Sequence, residues 1–241
     1  MERLNEEYAA KVAANIALVR QRMAAACARS GRNPDAVELL VVTKFNPAEA
    51  VLAAHAAGVR TFGENRVQEA EAKFAALEGL IPGSAVHLLG HLQSNKAKKA
   101  AALFDCVQSV DSEDILTELA RRAADAGSVL DVLFELHTGE ESKSGFQDAS
   151  AMFRAMEKAA VLASLRPRGI MTMAPYTDDM TVVRASFRAC EAAFSGVGAL
   201  FGFHDFNLLS MGMTNDFEVA IEEGSTMVRI GTAIFGSRVQ Q

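Results

Sequence analysis

Glu38-Leu39-Leu40-Val41-Val42-Thr43-Lys44-Phe45-Asn46-Pro47 is the stretch in which the architecture first becomes readable. Residues 38–43 form an apolar, partly β-branched run of strand length. The turn after it, 44–47, carries no glycine, and a helical segment follows. An open doubly wound sheet usually places a G-x-G-x-x-G turn directly after its first strand. The later cluster Gly196, Gly198 and Gly202 has the wrong spacing and follows no strand. The opening turn therefore argues for a different parallel architecture.

On either side of this stretch the same unit recurs. After a leading helical segment, 5–30, short apolar runs fall at 38–43, 59–62, 86–89, near 106–109, 130–136, near 168–172, 207–211 and 227–230. Helical segments lie between them at 47–57, 65–76, 95–103, 112–126, 148–163, 179–194 and 216–223, with a short closing turn near 232–235. An apolar run followed by a helix, repeated along a chain, predicts βα units around a parallel sheet. Eight such runs predict an α/β fold: a single (β/α)8 TIM-type barrel over 1–241 with an extra N-terminal helix.

Composition sets the outer bounds. The chain has 241 residues, 50% of them hydrophobic, enough to bury one sizeable core. Charged residues make up 22%, close to a globular average, which excludes wholesale disorder. A net charge of −6 argues against a nucleic-acid partner, which favours a basic field. Cys27, Cys106 and Cys190 form no C-x-x-C and no disulfide framework, so a reducing, cytoplasmic compartment is expected. The N-terminal segment has early acids and no uninterrupted apolar core, and reads as a helix rather than an export signal. No apolar stretch reaches the roughly 18 residues of a membrane span.

In a barrel of this kind the chemistry sits at the C-terminal ends of the strands. Lys44 closes the first run, on the same side as Leu40 and Val42 by strand alternation. An apolar, partly dry setting disfavours its ammonium form, and a neutral amine attacks aldehydes. The equally simple alternative is a lysine whose head reaches water past the strand end. The seventh and eighth strands end in Ser210-Met211-Gly212-Met213 and Arg229-Ile230-Gly231-Thr232. Barrels often build a phosphate site from these two loops and a short extra helix. Arg229 lies in an otherwise apolar strand end and must be paired, either with a carboxylate such as Glu64 or Glu135 or with a ligand heteroatom.

Other features point elsewhere. His87 and His91 fall on a strand and a turn rather than one helix face, and no H-E-x-x-H occurs, so no metal site is expected. Lys96, Lys98 and Lys99 mark a solvated helix face. The polar stretch 139–145 reads as a lid or a surface loop.

The motifs also carry a resemblance. Val41-Val42-Thr43-Lys44, Phe62-Gly63-Glu64-Asn65-Arg66-Val67-Gln68-Glu69, the stretch 87–96, the stretch 139–146, Arg168-Gly169-Ile170-Met171-Thr172-Met173-Ala174-Pro175, Leu209-Ser210-Met211-Gly212-Met213 and the stretch 224–236 resemble the pyridoxal 5′-phosphate (PLP) homeostasis proteins, relatives of the alanine racemase barrel. They span nearly the whole chain in the family's order. The resemblance implies a PLP Schiff base on Lys44, phosphate contacts from Ser210, Gly231 and Thr232, and Arg229 facing the pyridine nitrogen. Asn65, Met171 and Gly212 join the expected cofactor-binding set, with no catalytic residue assigned. One departure stands out: His137 occupies a place where the family usually has asparagine, so the role of that position does not carry over.

Racemases of this fold add a β domain that supplies a tyrosine base, whereas this chain runs only about ten residues past its eighth strand. Of its two tyrosines, Tyr8 lies in the leading helix and Tyr176 near the rim. The expectation is a monomeric carrier that buffers, stores or delivers PLP, with PLP-dependent apo-enzymes as recipients. The alternatives are a weak amino-acid racemase-like enzyme and a cofactor-free Schiff-base lyase using Lys44.

Overall fold

The computed structural model describes residues 5–140, 144–203 and 205–236. Its parallel strands are β1 (Glu38–Val42), β2 (Thr61–Glu64), β3 (Ala85–Leu88), β4 (Cys106–Val110), β5 (Leu130–Glu135), β6 (Leu165–Met171), β7 (Leu208–Ser210) and β8 (Met227–Ile230). They close into a barrel in chain order, with Leu40 of β1 in register with Thr61 of β2 and Arg229 of β8. Helices α1 (Glu6–Arg29), α2 (Ala48–Ala56), α3 (Val67–Ala75), α4 (Ala97–Leu103), α5 (Glu113–Asp125), α6 (Ala149–Ala159), α7 (Met180–Phe201), α8 (Phe217–Glu222) and α9 (Thr232–Phe235) surround it. Among the described residues, no helix is long and apolar enough to cross a membrane.

The extra helix α1 starts where Asn5 accepts a hydrogen bond from the backbone N–H of Tyr8, with Glu6 and Glu7 in the first turn. Its buried Val12, Ile16, Val19 and Met23 follow three- and four-residue spacing and pack on the outer face of β1 and β8. Contacts with α2, α8 and α9 place it over the seam where the barrel closes. Asn15 ties it to the end of α9 through the Ile234 carbonyl at 2.7 Å.

Strand alternation sorts the sheet residues into two environments. Val41, Phe62, Leu88, Val107, Phe134 and Ile170 face outward under the helices. Leu40, Val42 and Met227 form one small apolar cluster inside the barrel, and Cys106, Leu133 and Met171 another. The interior is not wholly apolar, because His87, Gln108, Ser210 and Arg229 are all buried there.

At two elements the difference from the sequence-based expectation has a visible physical cause. The second strand begins at Thr61 rather than Val59. Val59 belongs to the end of α2: Gly58 has φ +81, its N–H bonds the His55 carbonyl, and the Val59 N–H reaches back to Ala54 at 3.0 Å. This is a Schellman cap, with Val59 as its hydrophobic residue. Helix α7 runs through Gly196 to Phe201 instead of ending at Phe194. Val197 is fully buried there and Phe201 stacks on Phe203, so packing overrides the weak helix propensity of glycine.

Strands β6 and β7 lie in close backbone contact at Gly169. A Cβ on that residue would lie 1.7 Å from the Leu208 carbonyl oxygen, which belongs to the backbone and cannot rotate away. Gly169→Ala is therefore expected to destabilise the barrel by about 3 kcal/mol or more, measured by urea unfolding. A change under about 0.5 kcal/mol, the range of a neutral surface substitution, would contradict the close β6–β7 approach.

Candidate functional site

A cavity of about 410 Å³ opens at the C-terminal ends of the strands, a size suited to a small-molecule ligand. Lys44, Asn65, Met171, Arg229, Gly231 and Thr232 all line it. Ser210 and Gly212 do not line it and lie beneath. Thr214, Asn215 and Asp216, from the loop between β7 and α8, also reach the wall and were not singled out from sequence.

Lys44 follows β1 and shares the cavity with Val42, as strand alternation requires. Its backbone is fixed by the turn it occupies. The Thr43 carbonyl accepts from the Asn46 N–H at 3.0 Å, and the Lys44 carbonyl accepts from the Asn46 side chain at 3.1 Å. Phe45, at φ +63, takes a left-handed conformation that disfavours any residue with a Cβ. Its N–H bonds Glu69, and the Arg66 guanidinium lies 5.4 Å from the centre of its ring.

Behind this turn, on the helix side of the sheet, a buried ion pair anchors the strand end. The Lys73 ammonium of α3 donates to Glu64 at 2.6 Å, to the Thr43 carbonyl at 2.7 Å and to Glu69 at 3.1 Å. The Thr43 hydroxyl donates to Glu64 at 2.6 Å. Burial pushes the Glu64 carboxyl above its usual range, against the pull of Lys73 and Thr43. Breaking such a pair by removing one partner leaves a buried charge uncompensated.

Arg229 forms the floor of the cavity. Its guanidinium donates to the Ser210 carbonyl at 2.7 Å, to the Ser210 hydroxyl at 2.8 Å and to the Thr172 carbonyl at 2.8 Å. These oxygens, rather than Glu64 or Glu135, take its N–H groups; Glu64 is engaged with Lys73, and Glu135 accepts from Ser144 at 2.6 Å. Burial pulls Arg229 down to about 10, opposed by the charges of Asp216 and Glu135, so it stays cationic at neutral pH. Burial likewise raises Asp216, which accepts from the Met213 N–H at 2.6 Å on the cavity wall.

The Ser210 hydroxyl points away from the cavity and donates to Gln108 at 2.6 Å. Gln108 in turn meets His87 Nδ1 at 2.8 Å. Gly212 accepts the Arg229 backbone N–H, and a Cβ on it would collide with Ala220 of α8. At Gly231 a Cβ would lie 3.0 Å from the Val42 carbonyl, so the start of α9 sits tightly against β1. Thr232 is exposed to the cavity at the first position of α9.

Of the remaining candidates, Tyr176 lines the mouth and is 91% exposed. His137 lines a neighbouring groove rather than this cavity, with Nδ1 3.8 Å from Glu140. Residues 141–143 of the polar loop lie outside the described residues.

A model of the alanine racemase N-terminal domain matches residues 9–239. The pyridoxal phosphate homeostasis protein of Pseudomonas aeruginosa is 42% identical over 234 residues, covering 94% of this chain and 96% of the relative. That of Haemophilus influenzae is 38% identical over 225 residues, covering 93% and 94%. Among solved structures, PipY of Synechococcus elongatus with PLP bound matches with a TM-score of 0.81 at 35% identity, covering 93% of this chain and 100% of that one. The barrel, its site and these matches together place the chain in the alanine racemase N-terminal domain family, and within it among the pyridoxal phosphate homeostasis proteins.

Proposed function

We propose that this chain holds PLP as a Schiff base on Lys44 and acts in PLP homeostasis as a monomeric carrier that buffers, stores or delivers the cofactor to apo-enzymes. The observation that carries the reading is the pairing of Lys44 with a buried Arg229 across one cavity of about 410 Å³. When bound, PLP supplies an electrophilic aldehyde and an aromatic ring that can accept negative charge.

The residues fit that group in kind. Lys44 offers an amine on a backbone locked by the Phe45 turn. Lys73, the other lysine behind the same strand end, has its ammonium taken up by three oxygens on the opposite face of the sheet, which favours Lys44 for covalent attachment. Gly231 and Thr232 offer a close backbone and a hydroxyl that would hold the phosphate, and Asn65 and Met171 line the same cavity and would contact the cofactor. Ser210 and Gly212 act from beneath, Ser210 by holding the guanidinium.

Arg229 argues for a carrier over an enzyme. A guanidinium only donates hydrogen bonds. Facing the pyridine nitrogen, it would keep that atom unprotonated and weaken the ring as a sink for a carbanion. Racemisation would then need two well-placed bases. Tyr176 sits exposed at the mouth and His137 lies in the neighbouring groove, so neither is held inside the cavity beside Lys44.

Three outcomes are expected. Titrating the protein with PLP should develop a visible absorbance band that Lys44→Ala abolishes; Thr232→Ala should weaken PLP binding about tenfold or more while leaving the melting temperature unchanged, because a hydrogen bond to a charged group is worth about 1.5–3 kcal/mol. Unchanged affinity in Thr232→Ala would remove that contact. Incubation with L-amino acids in deuterated water should give little α-deuterium incorporation. Rapid incorporation that depends on Lys44 would replace the carrier reading with an amino-acid racemase.

A further inference from the structure

Four side chains from four strands join end to end across the barrel interior. Arg229 of β8 donates to the Ser210 hydroxyl of β7 at 2.8 Å; that hydroxyl donates to Gln108 Oε1 of β4 at 2.6 Å; Gln108 Nε2 meets His87 Nδ1 of β3 at 2.8 Å. Ser210 and Gln108 are fully buried and His87 nearly so. Of the four, only Arg229 reaches the cavity.

The direction of every proton in this chain follows from its first member. A guanidinium has no lone pair to offer, so the Ser210 oxygen accepts from it. The single proton of that hydroxyl is then directed to the Gln108 carbonyl oxygen. This leaves the Gln108 amide nitrogen facing His87, whose Nδ1 must be an unprotonated acceptor with the ring proton on Nε2. Burial supports a neutral ring by pulling His87 down to about 4, with Asp131 and Arg168 acting in opposite directions. If the amide were flipped, the Ser210 oxygen would face N–H groups on both sides and its proton would lose its acceptor. An unsatisfied buried donor of that kind is unfavourable. The remaining amide N–H is directed to the Met227 sulfur at 3.2 Å, a weak acceptor that does not fix the orientation.

We propose that Gln108 and His87 are positioning residues: a neutral His87 sets the Gln108 amide, the amide sets the Ser210 hydroxyl, and the hydroxyl presents its lone pair to Arg229, aiming the guanidinium at the cavity. The consequence for bound cofactor rests on the reading that the cavity takes PLP.

The test compares Gln108→Leu, His87→Leu and His87→Asn, alone and with Arg229→Gln, by PLP affinity, visible absorbance and melting temperature. Gln108→Leu and His87→Leu should each weaken PLP binding about tenfold and move the visible band toward its position in Arg229→Gln. His87→Asn keeps an acceptor where Nδ1 stood and should retain the wild-type band. Adding Gln108→Leu to Arg229→Gln should change neither band nor affinity further. An unshifted band in folded Gln108→Leu, or an undiminished effect in the Arg229→Gln background, would overturn the proposal. Should the wild-type protein take up no PLP, the cavity reading fails on its own, and nitrogen NMR of the free protein still decides: a His87 proton on Nε2 supports the chain, and one on Nδ1 overturns it.

Discussion

A guanidinium that keeps its charge at neutral pH lies inside this barrel with 4% of its residue exposed, and most of the site is arranged around keeping it there. A buried charge must be surrounded by partners that replace water. Here the partners are strand-end carbonyls of Ser210 and Thr172 and one hydroxyl, a set available only where β6, β7 and β8 end side by side. Closure of β8 onto β1 then brings Arg229 and Lys44 to the same cavity, because Leu40 and Arg229 are in register and Lys44 stands two pleats further along. Barrel closure, burial of the cation and pairing of the two basic groups are thus linked consequences of one register.

The opposite face of β1 carries the complementary constraint. The Lys73–Glu64 pair is buried between the end of β2 and helix α3 and gains little by itself, since desolvation offsets most of its attraction. What it provides is definition. Four hydrogen bonds converge on Thr43, one residue before Lys44, and Glu69 holds Phe45, one residue after it. The chain cannot slide or peel at the strand end without breaking a buried pair, so the root of the Lys44 side chain is fixed while its amine remains at the cavity.

Much of this was legible in the sequence, for physical reasons that differ by residue. The barrel followed from eight short apolar runs alternating with helices, and Lys44 from its parity with Leu40 and Val42. The start of the second strand was misplaced because Val59, an apolar β-branched residue, serves as the hydrophobic cap of a helix. For Ser210 the resemblance implies a phosphate contact, whereas strand parity puts its hydroxyl in the barrel interior, donating to Gln108. Gln108 gave no signal, and His87 was weighed only as a metal ligand. Each is a polar residue in a short strand, and what makes it meaningful is a partner brought across the barrel from a strand 21 or 102 residues away in sequence. Lys73 was hidden likewise, its partner Glu64 lying one strand-to-helix turn earlier.

The central claim is that Lys44, and not another amine of the chain, carries the cofactor. Loading the protein with PLP, reducing the complex with borohydride and mapping the modified peptide by mass spectrometry tests it directly. The account predicts a single stoichiometric pyridoxyl adduct on Lys44. An adduct on Lys73, on the α4 lysines or spread over several positions would contradict it.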